Sequence, residues 1–402
     1  MNFPQNLIKR QEYIERMLPF MQKSLVKVLT GQRRVGKSFL LYQLMEHILQ
    51  SNPDANLIYI NFEDFAYSDI QTAESMYDYI LSKSKKESIN YIFIDEIQEV
   101  TGFEKAIRSL LLNPNNDIYI TGSNAKMLSG ELATYLSGRY VEFKIYSLSY
   151  TEFLKFHKLN DDAESLNLYS RYGGLPYLVN LPLKDEVVNE YLKSIYSTIV
   201  FRDVVSRYNL RNTLFLEKLV QFLSENIGCL FSAKNISDYL KSQHSTVSVN
   251  QIQNYTEYLS NAFLIHRVER YDLVGKRIFE IGEKFYFENM GIRNIVVGYR
   301  ITDKGKIMEN LIYNHLLYKG YNVRVGYYGD KEIDFIGEKN GEKIYIQAAL
   351  KIDSKQTAER EFGNLLKIQD NYPKIVITED AFEGNTYEGI KTSSLRHFLM
   401  TF

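Results

Sequence analysis

The chain has one cysteine, no tryptophan and no run of 18 apolar residues, and each shortage removes a class of protein. A lone Cys229 excludes an intrachain disulfide framework and suits a reducing compartment. Its neighbours Ile227, Gly228, Leu230 and Phe231 predict a buried structural thiol. The opening Met1-Asn2-Phe3-Pro4-Gln5 lacks the charged segment and apolar stretch of a signal peptide, and nothing further on is long enough to span a bilayer. The expectation is a cytoplasmic protein with no membrane partner. Charge of one sign is also missing: 48 Lys and Arg against 49 Asp and Glu leave a formal net charge of −1. No global field therefore draws the chain to nucleic acid, and any such binding needs a local patch. Internal repeats and low-complexity segments are absent too.

What is present is a globular composition, 45% hydrophobic and 24% charged, over 402 residues, long enough for two or three domains. From Ser24 to Ile145, short β-rich runs alternate with helical stretches, the pattern of a parallel sheet covered by helices. Strands are predicted at Leu25–Thr30, Leu57–Phe62, Tyr91–Asp95, Ile118–Thr121 and Val141–Ile145, and helices at Lys37–Gln50, Ala73–Lys83 and Phe103–Leu112. Each strand ends in polar or glycine residues, so the chemistry is expected at the C-terminal edge of the sheet.

Gly31-Gln32-Arg33-Arg34-Val35-Gly36-Lys37-Ser38 fits G-x-x-x-x-G-K-[ST], set between the apolar strand Val26–Leu29 and the helical Phe39–Leu44. Glycines let the backbone wrap phosphates, and the helix N-terminus offers aligned N–H dipoles. Lys37 would neutralise the β- and γ-phosphates of ATP, and the Ser38 hydroxyl would ligate Mg2+. A second strand, Tyr91-Ile92-Phe93-Ile94, ends in Asp95-Glu96. Paired acids at the end of a buried strand cost desolvation unless they hold a cation or water. Asp95 is expected in the Mg2+ shell and Glu96 as general base toward the attacking water. A third strand, Ile118–Thr121, runs into Gly122-Ser123-Asn124, where Ser123, or else Asn124, would orient that water. Glu63 and Asp64 follow the strand Leu57–Phe62 at the same edge and are expected to be solvated.

With these elements the chain resembles the AAA+ superfamily, and more narrowly the prokaryotic ATPases that join such a domain to a winged helix and a C-terminal domain of uncharacterised function. The family-like stretches are Leu29–Ser38, Ile94–Gln98, Thr121–Leu128, Leu136–Tyr140, Tyr172–Pro176 and Phe285–Asn289. The resemblance implies an arginine finger, and Arg139, just before the last sheet strand, is its candidate, directed at its own nucleotide or a neighbour's. Arg33 and Arg34 could contact nucleotide or a partner subunit, and a homo-oligomer is left open. No clear second-sensor arginine follows; Arg171 is the candidate.

The fold class is therefore α/β: a parallel P-loop sheet of AAA+ type over 1–146, a helical lid over 147–210, a winged helix over 211–300 and an α+β domain over 301–402. In the winged helix Ser245–Asn261 would be the recognition helix. It offers Gln251, Gln253 and Asn254 to base edges but has no Lys or Arg and carries Glu257. Phosphate contacts to DNA would fall to Lys234, Lys241, Arg267, Arg270, Lys276 or Arg277. The last domain resembles the restriction-endonuclease-like fold, with Glu309 on a helix and Asp334 on a strand. It departs where nuclease members carry Glu-x-Lys, having Gln347 and Ala349, while Lys351 lies about 7 Å further along. A degenerate copy that binds nucleic acid or is structural is expected. The function expected is Mg-dependent ATP binding and hydrolysis that rearranges domains, linked to nucleic acid. The alternatives are a nucleotide-gated module with little turnover and an ATP-controlled metal-dependent nuclease.

Overall fold

A computed structural model describes residues 4, 7–125, 135–136, 138–243, 247–273, 282–329, 331–380 and 386–402. Lys126–Leu128 and Ser137 of the family-like stretches, and Ser245, Lys276 and Arg277, lie outside the described residues. The chain divides into two units, Met1–Tyr146 with Asn261–Phe263, and Ser147–Ser260 with Leu264–Phe402. Among the described residues no helix is long and apolar enough to cross a membrane.

In the N-terminal unit, helix α1 (Gln11–Met17) precedes β1 (Val26–Thr30), α2 (Lys37–Ser51), β2 (Asn56–Asn61), α3 (Ala73–Lys83), β3 (Asn90–Asp95), α4 (Phe103–Leu110), β4 (Asn116–Gly122) and β5 (Tyr140–Lys144). The strands form one parallel sheet in the order β2-β3-β4-β1-β5. The central strands β1, β3 and β4 are buried along their whole length, which is why their Val- and Ile-rich runs do not alternate with polar residues. One face packs Val26, Val28, Ile92, Ile94, Ile118 and Ile120 against Met76 and Ile80 of α3 and Phe103 and Ile107 of α4. Because all five strands run the same way, the loops after β1, β3 and β4 share one edge.

The second unit begins with α5 (Tyr150–His157), started by Ser149 through a capping box with Glu152. Helices α6 (Ala163–Tyr172) and α7 (Asp185–Thr198) follow, the latter passing into a π-helix over Ile199–Ser206 that no periodicity in the sequence reveals. Next come α8 (Thr213–Glu225), β6 (Leu230–Phe231), α9 (Ala233–Ser242), α10 (Val249–Asn261), β7 (Ile265–Val268), β8 (Arg270–Asp272) and β9 (Glu283–Phe287). Strands β6, β9 and β7 make a three-stranded antiparallel sheet in that order. β7 and β8, though one residue apart, belong to different sheets. Helices α11 (Met290–Val297) and α12 (Lys304–Tyr318) lead to β10 (Asn322–Tyr328), β11 (Lys331–Lys339), β12 (Glu342–Ala349), α13 (Lys355–Leu366), β13 (Lys374–Thr378), β14 (Thr386–Tyr387), β15 (Ile390–Ser394) and α14 (Leu395–Thr401). They build a mixed sheet in the order β14-β15-β13-β12-β11-β10-β8.

Cys229 corrects one expectation: its thiol is exposed. The apolar run around it leads into β6, a two-residue edge strand that pairs only with β9, and Leu230 there is itself 54% exposed. An apolar run buries its side chains only where a sheet or helix covers it.

Candidate nucleotide site

Between β1 and α2 the chain turns through two left-handed glycines, Gly31 at φ +152° and Gly36 at φ +96°. A Cβ on Gly31 would stand 2.1 Å from the Ile145 carbonyl oxygen, so this position accepts no side chain. α2 then starts at Lys37, and its unpaired N–H groups face the loop. The Lys37 ammonium is buried and donates to the carbonyls of Gly31 at 3.0 Å and Gln32 at 3.1 Å. The predicted partners meet here: the Ser38 hydroxyl donates to the Asp95 carboxylate.

Asp95 is held from two more sides. Thr121 Oγ1 donates to Asp95 Oδ1 at 2.5 Å while accepting the Glu96 N–H at 2.9 Å, tying β4 to both acids. Tyr59 Oη donates to Asp95 Oδ2 at 3.3 Å, and Tyr42 Oη lies 3.0 Å from Tyr59 Oη. Burial raises the Asp95 carboxyl above the usual range, against the pull of Ser38 and Thr121, and it similarly holds the Tyr59 phenol protonated. Thus Asp95 sits where a nearby cation would restore its charge.

Glu96 has the opposite balance. Burial opposes its ionisation, but Lys37, Gln98, Arg33 and Ser123 together keep the carboxyl below the usual range. It is an ionised base at neutral pH. Its backbone is left-handed, φ +55°, a conformation costing about 1–2 kcal/mol for a residue with a Cβ and met at sites where neighbours impose it. Ser123 and Asn124, directly after β4, are both buried.

The arginines separate. Arg33 pairs with Glu63 at 3.0 Å, so that acid is not simply solvated, while Arg34 is exposed at φ +70°. Arg139 is exposed and precedes β5, whose Tyr140 lies opposite Val26 and whose Lys144 lies opposite Thr30. It therefore stands at the far edge of the sheet, about 20 Å along the strands from its own phosphate loop. Arg171 is paired with Asp185. Sequence reasoning missed Thr121 and Tyr59 as holders of Asp95. It also missed Arg10, which donates to the carbonyls of Val35 and Tyr146, each at 3.0 Å, and braces the loop from behind. Thr121 lay inside a noted stretch; Tyr59 and Arg10 gave no signal.

The second acidic cluster, in the other unit, is closed on itself. Lys284 on β9 donates to Glu309 at 3.2 Å and to Glu332 at 2.7 Å, and Tyr286 donates to Glu309 at 2.5 Å. Asp334 accepts the Ala348 N–H at 2.7 Å, and Gln347 donates to Glu361 at 3.1 Å. Among the described residues no group of three or more His, Cys, Asp or Glu side chains is disposed to hold a metal ion.

Residues 23–154 match the family model described as AAA domain, residues 163–302 a domain of unknown function (DUF8612) and residues 304–396 a domain of unknown function (DUF4143). An uncharacterised protein of Haemophilus influenzae is 38% identical over 396 residues, 96% of each chain. One of Methanocaldococcus jannaschii is 32% identical over 387 residues, 90% of this chain and 84% of the other. Among solved structures, a Walker-type ATPase of Pyrococcus abyssi is similar at 16% identity and a TM-score of 0.49, over 72% of this chain and 96% of that one.

Proposed function

We propose that this chain, which belongs to the AAA+ P-loop ATPases and to the full-length family it shares with the Haemophilus influenzae protein, binds ATP with Mg2+ in the cytoplasm and hydrolyses it to move its appended domains. The observation that carries this reading is the continuous set Lys37, Ser38, Asp95, Thr121 and Glu96, drawn from the ends of three adjacent strands and joined by contacts in one place. The residues fit the nucleotide: loop amides and Lys37 for phosphate, and two oxygen ligands, Ser38 and Asp95, of the kind a phosphate-bound Mg2+ takes from protein. Held by Ser38 and Asp95, Mg2+ would offset the charge of the phosphates.

In hydrolysis, Lys37 follows the developing charge on the γ-phosphate. Ser123 or Asn124 orients a water in line with it. Glu96 takes a proton from that water as its oxygen bonds to phosphorus and the bond to the β,γ-bridging oxygen breaks, leaving ADP and phosphate. Arg139, remote from its own loop, serves a neighbouring copy, which makes a homo-oligomer part of the proposal. Glu96→Gln keeps shape and removes the base; single-turnover hydrolysis should fall about 10²–10⁴-fold while nucleotide is still retained. An unchanged rate would remove Glu96 from its role.

A second reading adds duplex DNA as partner. It is supported by the order α8, β6, α9, α10, β7, β9 with its antiparallel sheet, an order that a winged helix would have. The exposed Gln253, Asn254 and Glu257 of α10 include no cation, so affinity must come from lysines and arginines around it. Fluorescence anisotropy with a labelled duplex should show binding that weakens steeply with salt; no binding at low salt removes the reading. A metal-dependent nuclease is not proposed, because Lys284 already pairs with Glu309 and Glu332, and Gln347 and Ala349 replace the remaining functional pair.

A further inference from the structure

Asn261, Ala262 and Phe263 fold with the N-terminal unit, although the chain on either side belongs to the other. Two bonds hold them. Gln32 of the phosphate loop, fully buried, donates its side-chain amide to the Phe263 carbonyl at 2.8 Å. Ala125, directly after Ser123 and Asn124, donates its N–H to the Asn261 carbonyl at 2.9 Å. The segment is thus tied to both loops between which the γ-phosphate would lie.

Two features show that this arrangement carries a cost. Phe263 is buried but left-handed, φ +55°, a conformation that is strained for a residue with a Cβ. Gln32 Oε1 is buried without a hydrogen-bond partner, so its desolvation is not offset. Gln32 also gives its backbone carbonyl to the Lys37 ammonium at 3.1 Å. An anionic phosphate binds that ammonium more strongly than a neutral carbonyl does, so its arrival loosens Gln32 at the moment the loop is filled. A strained residue held by a group whose own partner changes on phosphate binding is placed to respond to that binding, as a switch needs.

We propose that Asn261–Phe263 reads the occupancy of the phosphate loop, through Gln32 and Ala125, and passes it along the chain to α10 on one side and β7 on the other. The proposal rests on the nucleotide reading above and adds the route by which it would reach the winged-helix elements. No other part of α10 need touch the nucleotide for this to work.

Hydrogen exchange of the full chain, with and without a saturating non-hydrolysable ATP analogue and Mg2+, tests it at three places: residues 31–40, Ala125, and residues 262–266, where the Leu264 N–H is bonded to the Leu259 carbonyl. In the natural sequence all three should change, by about tenfold at 262–266. In Gln32→Ala the change at 31–40 should persist and that at 262–266 should fall away. Gln32→Met, of similar size, uncharged and without the donor, should behave likewise and guards against collapse of the loop in the smaller variant. A response at 31–40 with 262–266 silent in the natural sequence overturns the proposal, as does full transmission in both variants. Silence at 31–40 overturns the nucleotide reading itself, and the proposal with it.

Discussion

Two lysines are buried to the same degree, Lys37 at 4% exposure and Lys284 at 3%, and they do opposite things. Lys37 donates to two backbone carbonyls of its own loop, with ionised Glu96 close enough to feel its field. Lys284 donates to two carboxylates; burial pulls its ammonium down, but the charges of Glu309, Asp334 and Glu332 outweigh this and hold it above the ordinary range. The carbonyls are neutral and belong to a glycine-bearing loop, so a phosphate outcompetes them. The carboxylates cannot be outcompeted without leaving a buried charge unpaired. Burial of a cation thus marks a binding site only where its partners are exchangeable.

The comparison is broken most severely by changing each lysine to methionine, which keeps the stem and removes the charge. Lys37→Met should lower ATP turnover by about 10²–10³-fold, because a positioned charge on the transferring phosphate is gone, while changing unfolding free energy by less than about 1 kcal/mol. Lys284→Met should do the reverse. Removing one partner of a buried ion pair costs about 3–5 kcal/mol, read as a shift of the urea midpoint, and turnover per folded molecule should stay as it was. If Lys284→Met unfolds no more easily than the natural sequence, the ion pair is not what closes that cluster. If it instead abolishes turnover in folded protein, the two regions are coupled and the contrast fails.

How much of this contrast could be read from the chain differs between the regions for a physical reason. The phosphate loop is local: glycines, lysine and serine are contiguous, and the apolar runs before Thr30 and Asp95 are the strands that carry the site. The sheet and its C-terminal chemical edge follow from them. The Lys284 cluster joins β9, α12 and β11, and the bond from Gln32 to Phe263 spans 231 residues, so neither leaves a spacing to recognise. Glu309 and Asp334 were legible as acids on a helix and a strand, but the cation opposite them was not. Arg139 shows the same limit: its place before β5 was evident, yet only the register of β5 on β1 reveals that it stands at the wrong edge for its own nucleotide.

The smallest effect tests the sharper half of the comparison, that the second cluster is saturated with acid. Burial, with Glu309 beside it, raises the Asp334 carboxyl well above its ordinary range, and Lys284 and the Ala348 N–H only partly offset this. A carboxyl whose folded value is raised binds its proton more tightly in the native state. Its contribution to stability is therefore complete below the unfolded value near 3.8 and is lost as pH rises through the folded value. Asp334→Asn carries no such penalty. Above the acidic range it should be more stable than the natural sequence by on the order of 1 kcal/mol, and the gap should close as pH falls toward that of the free carboxyl. Urea unfolding at several pH values measures both curves. A variant that is instead less stable at neutral pH would mean that Asp334 works as an anion for Lys284, making the cluster an ion network with three acidic members in place of a lysine already satisfied by two.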